Sequence, residues 1–375
     1  MQINQKPPMI EDIFNIEIIK QKFSLNKSRS KMLVSLFRAI LDVGSGNLSK
    51  LSFSVKSKSQ QLSVYRRIQR FFASVKLCDL ECAKLIFAIL SINREDKLIL
   101  ILDRTYWMRG IAHLNFLYLS IFYKGYGIPL FFKILPDKKG HSGVADRKEL
   151  IDKFIKIFGK EQIAYVVADR EFDGYEWLSY LKDERISYVQ RLKDNIICMG
   201  NRNGKIVRAK KLCRGIKPES KRSLGERRVY KSREFISDIT VAKNNKGGVL
   251  LLAHSKDIED PTYAYSLRWG IELGFRAMKS GGFNMEDTKL IKPDRITTLY
   301  QIIAILTAFA HKGGIVLNAI KPIKIRSHGR KSISFIRLFL DFLRSSKAHV
   351  TLVYRAITSY LAPPWKNFLK NCRVR

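Results

Sequence analysis

Acidic side chains are scarce in this sequence. Over 375 residues, 33 Asp and Glu stand against 69 Lys and Arg, giving a formal net charge of +36 and a pI near 10.1. A field of that size costs stability through self-repulsion unless a polyanion neutralises it, which makes nucleic acid the leading partner. The basic residues are spread along the chain, so binding should use several surfaces and weaken as salt rises. Cysteine is sparse as well. Cys78, Cys82, Cys198, Cys213 and Cys372 are odd in number and lack the paired spacing of a zinc finger. Cys78 and Cys82 are expected to be packing residues near a helix start. The six His are scattered, which argues against a His-rich zinc site. No apolar run approaches the roughly 20 residues of a membrane-spanning helix. The stretches 299–310 and 116–132 are too short, or are broken by Lys, Gly and Pro. The opening MQINQKPPMIEDIFNIE also lacks the cationic and then apolar segments of a signal peptide. A cytoplasmic protein without membrane contact is expected.

What is present reads as a folded chain, 46% hydrophobic and 27% charged, long enough for two to four units. Residues 1–95 read as a helical region. An amphipathic stretch at 31–41 stops at Val43-Gly44-Ser45-Gly46. In QQLSVYRRIQRFFASV, Val64, Ile68, Phe71 and Phe72 share one helical face, while Arg66 and Arg70 point away from it. Such a helix suits a major groove, the alternative being a surface helix with solvated arginines. From residue 96 the texture changes. KLILIL (97–102) reads as a strand buried on both faces that ends at Asp103. Runs at 116–123 and 128–135 read as a hairpin, and 146–158 as a helix closed by Gly159. A second buried strand at 163–168 ends at Asp169, followed by a helix at 175–183 and a strand at 186–191. The order β-β-β-α-β-α-β fills 96–194, with acids at two strand ends, where function tends to sit in such sheets. Residues 195–250 read as a β-rich basic insertion. The segment 251–315 holds a helix from about Pro261 and a hydrophobic helix at 296–310. Residues 316–375 form a basic region with a helix at 335–343.

The sharpest pattern lies in YAYSLRWGIELGFRAMKSGGF. Tyr265, Arg268, Glu272 and Lys279 are spaced so that one regular helix would line them up in a narrow stripe. The two cations and the phenol suit phosphate oxygens, and the carboxylate suits a hard divalent cation. Alone, a Glu with Arg four residues before it is an ordinary solvated pair. Joined by Asp103 and Asp169, it becomes the third of three carboxylates. Such a set could hold two divalent ions about 4 Å apart, clamping the attacking and leaving oxygens of a phosphodiester. Magnesium suits a site of a few carboxylates and water.

On these residues the chain resembles bacterial insertion-sequence transposases of the DDE, RNase H-like superfamily, in the group marked by a Tyr-(2)-Arg-(3)-Glu-(6)-Lys signature. RWGIELGFRAMKSGGFNMED, ILDRTYW and VADREFDG are similar to that family, from the YRRIQRFF helix to about residue 310. The resemblance implies an α/β fold: an RNase H-like mixed-sheet catalytic core with a β-rich insertion, flanked by N-terminal and C-terminal helical regions. It implies that Asp103, Asp169 and Glu272 are the catalytic, metal-binding triad for two Mg²⁺ (or Mn²⁺) ions. Tyr265, Arg268 and Lys279 would grip the transposon end, with Arg66 and Arg70 as further DNA contacts. The implied partners are double-stranded terminal repeats, target DNA and a second copy of the chain, in a nucleoid-associated setting. Trp269 is expected to pack, although if exposed it could stack on an unpaired base. Many relatives carry a second acid directly after the first Asp, where this chain has Arg104. An inactive protein that binds transposon ends and a stand-alone nuclease remain open alternatives.

Overall fold

The computed structural model describes residues 16–109, 112–135, 142–193, 197–199, 206–230, 235–245, 248–327 and 329–345. Among the described residues, the helices Ile16–Phe23 (α1), Lys27–Val43 (α2), Leu48–Ser54 (α3), Gln61–Ser74 (α4) and Asp79–Leu90 (α5) come first. Asn26 caps α2 by accepting from the Arg29 N–H, and Gly44 closes it at φ 65°, a left-handed geometry that costs glycine little. In α4 the buried side chains are Val64, Ile68, Phe71 and Phe72, while Arg66 and Arg70 are exposed, as the spacing requires. Cys82 is buried inside α5, but Cys78 caps it and is exposed, so only one of that pair packs. Cys372 and the side chain of Cys198 lie outside the described residues.

The sheet begins with Leu98–Arg109 (β1), Ala112–Tyr123 (β2) and Tyr126–Leu135 (β3), an antiparallel meander turning at Lys124 and Gly125. Val144–Phe158 (α6) leads to Ile163–Ala168 (β4), and Tyr175–Asp183 (α7) to Tyr188–Arg191 (β5). Both β4 and β5 run parallel to β1. The segment from 195 onwards adds Ile197–Met199 (β6), Ile206–Arg208 (β7), Ala209–Leu212 (α8), Lys221–Val229 (β8), Phe235–Lys243 (β9) and Val249–His254 (β10). These strands do not form a sheet of their own. β10 pairs with β5 as well as with β9, so all ten lie in one sheet ordered β3-β2-β1-β4-β5-β10-β9-β8-β6-β7. The first five strands have the mixed order of an RNase H-like core.

The signature segment folds as three pieces, not as one regular helix. Pro261–Ser266 (α9) and Trp269–Arg276 (α10) are separated by a tight turn, and Ala277–Gly281 widens into a π-helical turn. Around Arg268 the backbone bonds contract to three-residue steps: Arg268 N–H to Tyr265 C=O, Gly270 to Leu267 and Ile271 to Arg268. The hydrophobic helix is longer than its sequence pattern suggested. Pro293–Ile320 (α11) is long and apolar enough to cross a membrane, but 78% of its most apolar window is buried inside the protein. Phe335–Ser345 (α12) follows.

Two units result. Arg94–Leu273 contains the sheet with α6 to α9, and Met1–Asn93 with Gly274–Arg375 is helical among its described residues. In the helical unit, α11 is tied to the chain around α5. Thr298 donates to the Val75 carbonyl (3.0 Å), and Gln301 donates to the Leu77 carbonyl (3.1 Å) and the Asp79 carboxylate (2.6 Å).

Candidate active site

Strand register brings the first two carboxylates together. The parallel β1–β4 ladder ends with Leu102 opposite Ala168, so Asp103 and Asp169 each lie one residue past its last rung. Asp103 is not at the end of β1, however. That strand continues to Arg109 in the antiparallel ladder, where Asp103 faces Tyr118. A continuous apolar run signals burial on both faces, and β1 outlasts the run because β2 goes on pairing with it. Asp169 caps the short 3₁₀ turn Arg170–Phe172 by accepting from the Arg170 N–H at 2.7 Å. Buried Arg147 braces that turn, donating to the Phe172 carbonyl and to both oxygens of Ser142.

Glu272 arrives on α10, whose position is set by backbone contact with the β2–β3 hairpin. A Cβ on Gly127 would stand 2.7 Å from Ile271 Cα, and one on Gly270 would stand 2.9 Å from the Phe122 ring. Only glycines permit so close an approach. Upstream, Asp260 starts α9 by accepting from the Thr262 and Tyr263 N–H groups, with Pro261 at the first helical position. α9 packs on the sheet through Ala264 and Tyr265, against Val167, Val189 and Leu252.

The side chains then close a network. Tyr265, only 6% exposed, donates its hydroxyl to Asp169 at 2.9 Å. Arg268 bridges two carboxylates, donating to Asp103 (3.1 Å) and reaching Glu272 (3.5 Å). Arg191 pairs with Asp169 at 3.6 Å, and Gln190 donates to the Asp169 carbonyl at 2.7 Å. Arg104 pairs with Glu171 at 2.9 Å. Burial pushes the Asp103 carboxyl up to about 6, although Arg268 opposes it. Burial also raises Asp169, but hydrogen bonds from the Arg170 N–H and Tyr265 and the charges of Arg268 and Arg191 hold it below the usual carboxylate range.

Tyr265 and Arg268 were expected to grip DNA. In this arrangement both are turned to the carboxylates. Lys279 belongs to the helical unit, half-buried in the π-helical turn, where burial lowers its ammonium below the ordinary lysine value. Trp269, expected to pack, is 63% exposed. Arg147, Glu171, Gln190 and Arg191 escaped the sequence reading. Arg191, the last residue of a buried strand, was the one with a positional signal.

Among the described residues no group of three or more His, Cys, Asp or Glu is gathered closely enough to hold a metal ion. The donor chemistry nonetheless fits a small hard cation, being three carboxylates. The buried one keeps a raised proton affinity even beside Arg268. What stands between them is the Arg268 guanidinium, whose Nε has no acceptor among the described residues.

Asp103 and Asp169 thus close a parallel ladder in a mixed sheet of RNase H-like strand order. Residues 116–309 match the family described as the transposase DDE domain, and the chain belongs to that family. The match includes Asp169, Tyr265, Arg268, Glu272 and Lys279, and begins downstream of Asp103. Among solved structures, the chain is similar to the piggyBac transposase synaptic complex with hairpin DNA, at 12% identity and a TM-score of 0.43. The alignment covers 93% of this chain and 73% of that one. No curated protein matches the sequence.

Proposed function

We propose that this protein is the DNA transposase of an insertion sequence. It cuts at the element ends and joins the freed 3′-hydroxyl to target DNA. The observation that carries this reading is the juxtaposition of Asp103 and Asp169 one residue past the same rung, with Glu272 reached through Arg268. Membership of the transposase DDE family and a net charge of +36 point to the same substrate. Cutting and joining are both in-line displacements at phosphorus, so one site serves both when the substrate oxygens are aligned.

Asp103, Asp169 and Glu272 are the residues that would hold Mg²⁺ or Mn²⁺. When bound, the metal supplies charge neutralisation for the attacking and leaving oxygens. Arg268 holds two of the carboxylates in register and shields their mutual repulsion, and Tyr265 orients Asp169 through its hydroxyl. Exposed Trp269, beside Arg268, is placed to stack on an unpaired base near the cut. Lys279 contributes charge for the transposon end, and two copies of the chain act on two ends.

The test is strand transfer. Purified protein, Mg²⁺, supercoiled plasmid and a labelled duplex carrying the inverted repeat that flanks its gene should yield labelled plasmid. The product should vanish in Glu272→Ala. Cutting without joining would replace the transposase reading with that of a nuclease. Binding with neither would make the protein an inactive end-binder.

A further inference from the structure

Strand pairing stops one residue short of the two aspartates. The β1–β4 ladder ends with Leu102 opposite Ala168, and Asp103 and Asp169 follow it on either side. That ladder fixes the spacing of the two strands up to the site but not through it. Just beyond the aspartates, side chains take over. Arg104 donates from Nε (3.1 Å) and Nη2 (2.9 Å) to the same carboxylate oxygen of Glu171. Its Nη1 reaches the side-chain oxygen of Asn115 on β2 (3.4 Å), a residue only 1% exposed. The guanidinium is thus aimed by the neighbouring strand before it meets Glu171.

Each end of this bridge is tied to an aspartate. Successive residues of a strand face opposite ways, so Arg104 leaves β1 on the face turned away from Asp103. It braces the strand from behind and takes no room in the site. Glu171 lies in the 3₁₀ turn that Asp169 caps. The turn is closed by the Phe172 N–H on the Asp169 carbonyl (3.0 Å) and the Asp173 N–H on the Arg170 carbonyl (3.3 Å). Gln190 and buried Arg147 hold two of its carbonyls from outside, those of Asp169 and Phe172. A pull on Glu171 therefore reaches Asp169 through a stiff turn. An ion pair free in solvent would transmit little, but these side chains are only 19% and 25% exposed.

We infer that the Arg104–Glu171 bridge continues the β1–β4 ladder past its last rung and sets the separation of Asp103 and Asp169. Both members are positioning residues, since neither reaches the reacting atoms. The inference rests on the active-site reading above and gives a role to two residues that the reading leaves without one. Spacing matters there because Mg²⁺ demands near-ideal geometry, and a reacting group misplaced by about 1 Å can slow a reaction about 100-fold.

The experiment uses the full chain and two readouts. One is Mn²⁺ affinity without DNA, by electron paramagnetic resonance. The other is single-turnover nicking in Mg²⁺ of a plasmid carrying the inverted repeats that flank the gene. Arg104→Ala and Glu171→Ala should each weaken Mn²⁺ about tenfold and slow nicking at saturating protein about 10–100-fold. The protein concentration for half-maximal nicking should not move. The double alanine variant should be no worse than either single one, because all three lose the same bridge. Glu171→Gln, which keeps the hydrogen bond, and the reversed pair Arg104→Glu with Glu171→Arg should recover most of both losses. Glu149→Ala breaks the pair between Lys133 on β3 and α6 and should change neither readout. Unchanged Mn²⁺ affinity in the single alanine variants would overturn the inference. So would a reversed pair no better than the alanines, or an equal loss from Glu149→Ala. Glu171→Gln as damaging as Glu171→Ala would overturn it as well, making Glu171 an ion ligand. If every preparation fails to nick while the Mn²⁺ losses and their recovery persist, the bridge stands and the transposase reading falls.

Discussion

Replacing Arg268 with alanine removes the guanidinium that joins two of the three carboxylates, and the cost can be worked from its contacts. The pair with Asp103 is buried, the two side chains being 11% and 14% exposed. Stranding one member of a fully buried pair costs about 3–5 kcal/mol, so about 2–3 kcal/mol is expected where a little solvent reaches it. The contact with Glu272, whose side chain is 43% exposed, adds about 0.3 kcal/mol. The guanidinium also lies 5.6 Å from the Tyr265 ring centroid. That contact adds about 0.5 kcal/mol. Arg268→Ala should therefore destabilise the protein by about 3 kcal/mol. Combining it with Asp103→Ala removes the stranded carboxylate and should recover about 2 kcal/mol, whereas combining it with Glu272→Ala should recover almost nothing. Urea unfolding at pH 7.5 in EDTA, followed by tryptophan fluorescence and circular dichroism, gives the coupling of each pair. An Arg268–Asp103 coupling below about 0.5 kcal/mol would refute the reasoning, because distant, independent residues differ by that much. The same pairing predicts that Arg268→Ala harms the fold before it harms DNA binding.

Three further outcomes follow from the geometry. Gly127→Ala forces a Cβ to within 2.7 Å of Ile271 Cα. It should cost about 1–3 kcal/mol and reduce plasmid cutting more than duplex binding, as melting and nicking assays would register. Lys221, then Thr262 and the Tyr263 N–H, hold the Asp260 carboxyl well below the usual carboxylate range. A depressed folded value means that this stability is present above the unfolded pKa near 4 and is lost as pH falls through the folded one. Asp260→Ala should thus cost about 1 kcal/mol at pH 7, with the gap narrowing in strong acid; melts whose gap stays constant with pH would contradict this. Mg²⁺ should raise the melting temperature by mass action, and EDTA should reverse the shift. Asp169→Asn should abolish it, and an equal shift in that variant would place the ion elsewhere.

Much of the fold was legible because its elements carry simple periodicities. The strand Ile163–Ala168 and the helix Tyr175–Asp183 coincide with their sequence patterns, and the buried face of α4 is the one its spacing predicts. Pairing between distant segments was not legible. β1 extends beyond its apolar run because β2 supplies partners, and nothing near residue 249 announces that β10 will pair with β5. The signature was legible as residue types and spacing but not as one helix. Gly270 packs on the hairpin, and the chain turns tightly at Arg268 to let it do so. The same turn sends Arg268 towards Asp103, a residue 165 positions away that no local pattern connects to it. Arg147, Gln190 and Arg191 escaped notice because a basic or amide residue in so basic a chain carries little information until its partner is known.

The pairing of β10 with β5 has a consequence for how the sheet can be cut down. A core trimmed to its first five strands would leave β5 with a bare flank of amide and carbonyl groups, along a strand whose Tyr188, Val189 and Gln190 are buried in the whole protein. Such a flank recruits other chains. In the whole protein β10 covers that flank. Deleting the added strands should yield aggregates in place of a minimal enzyme.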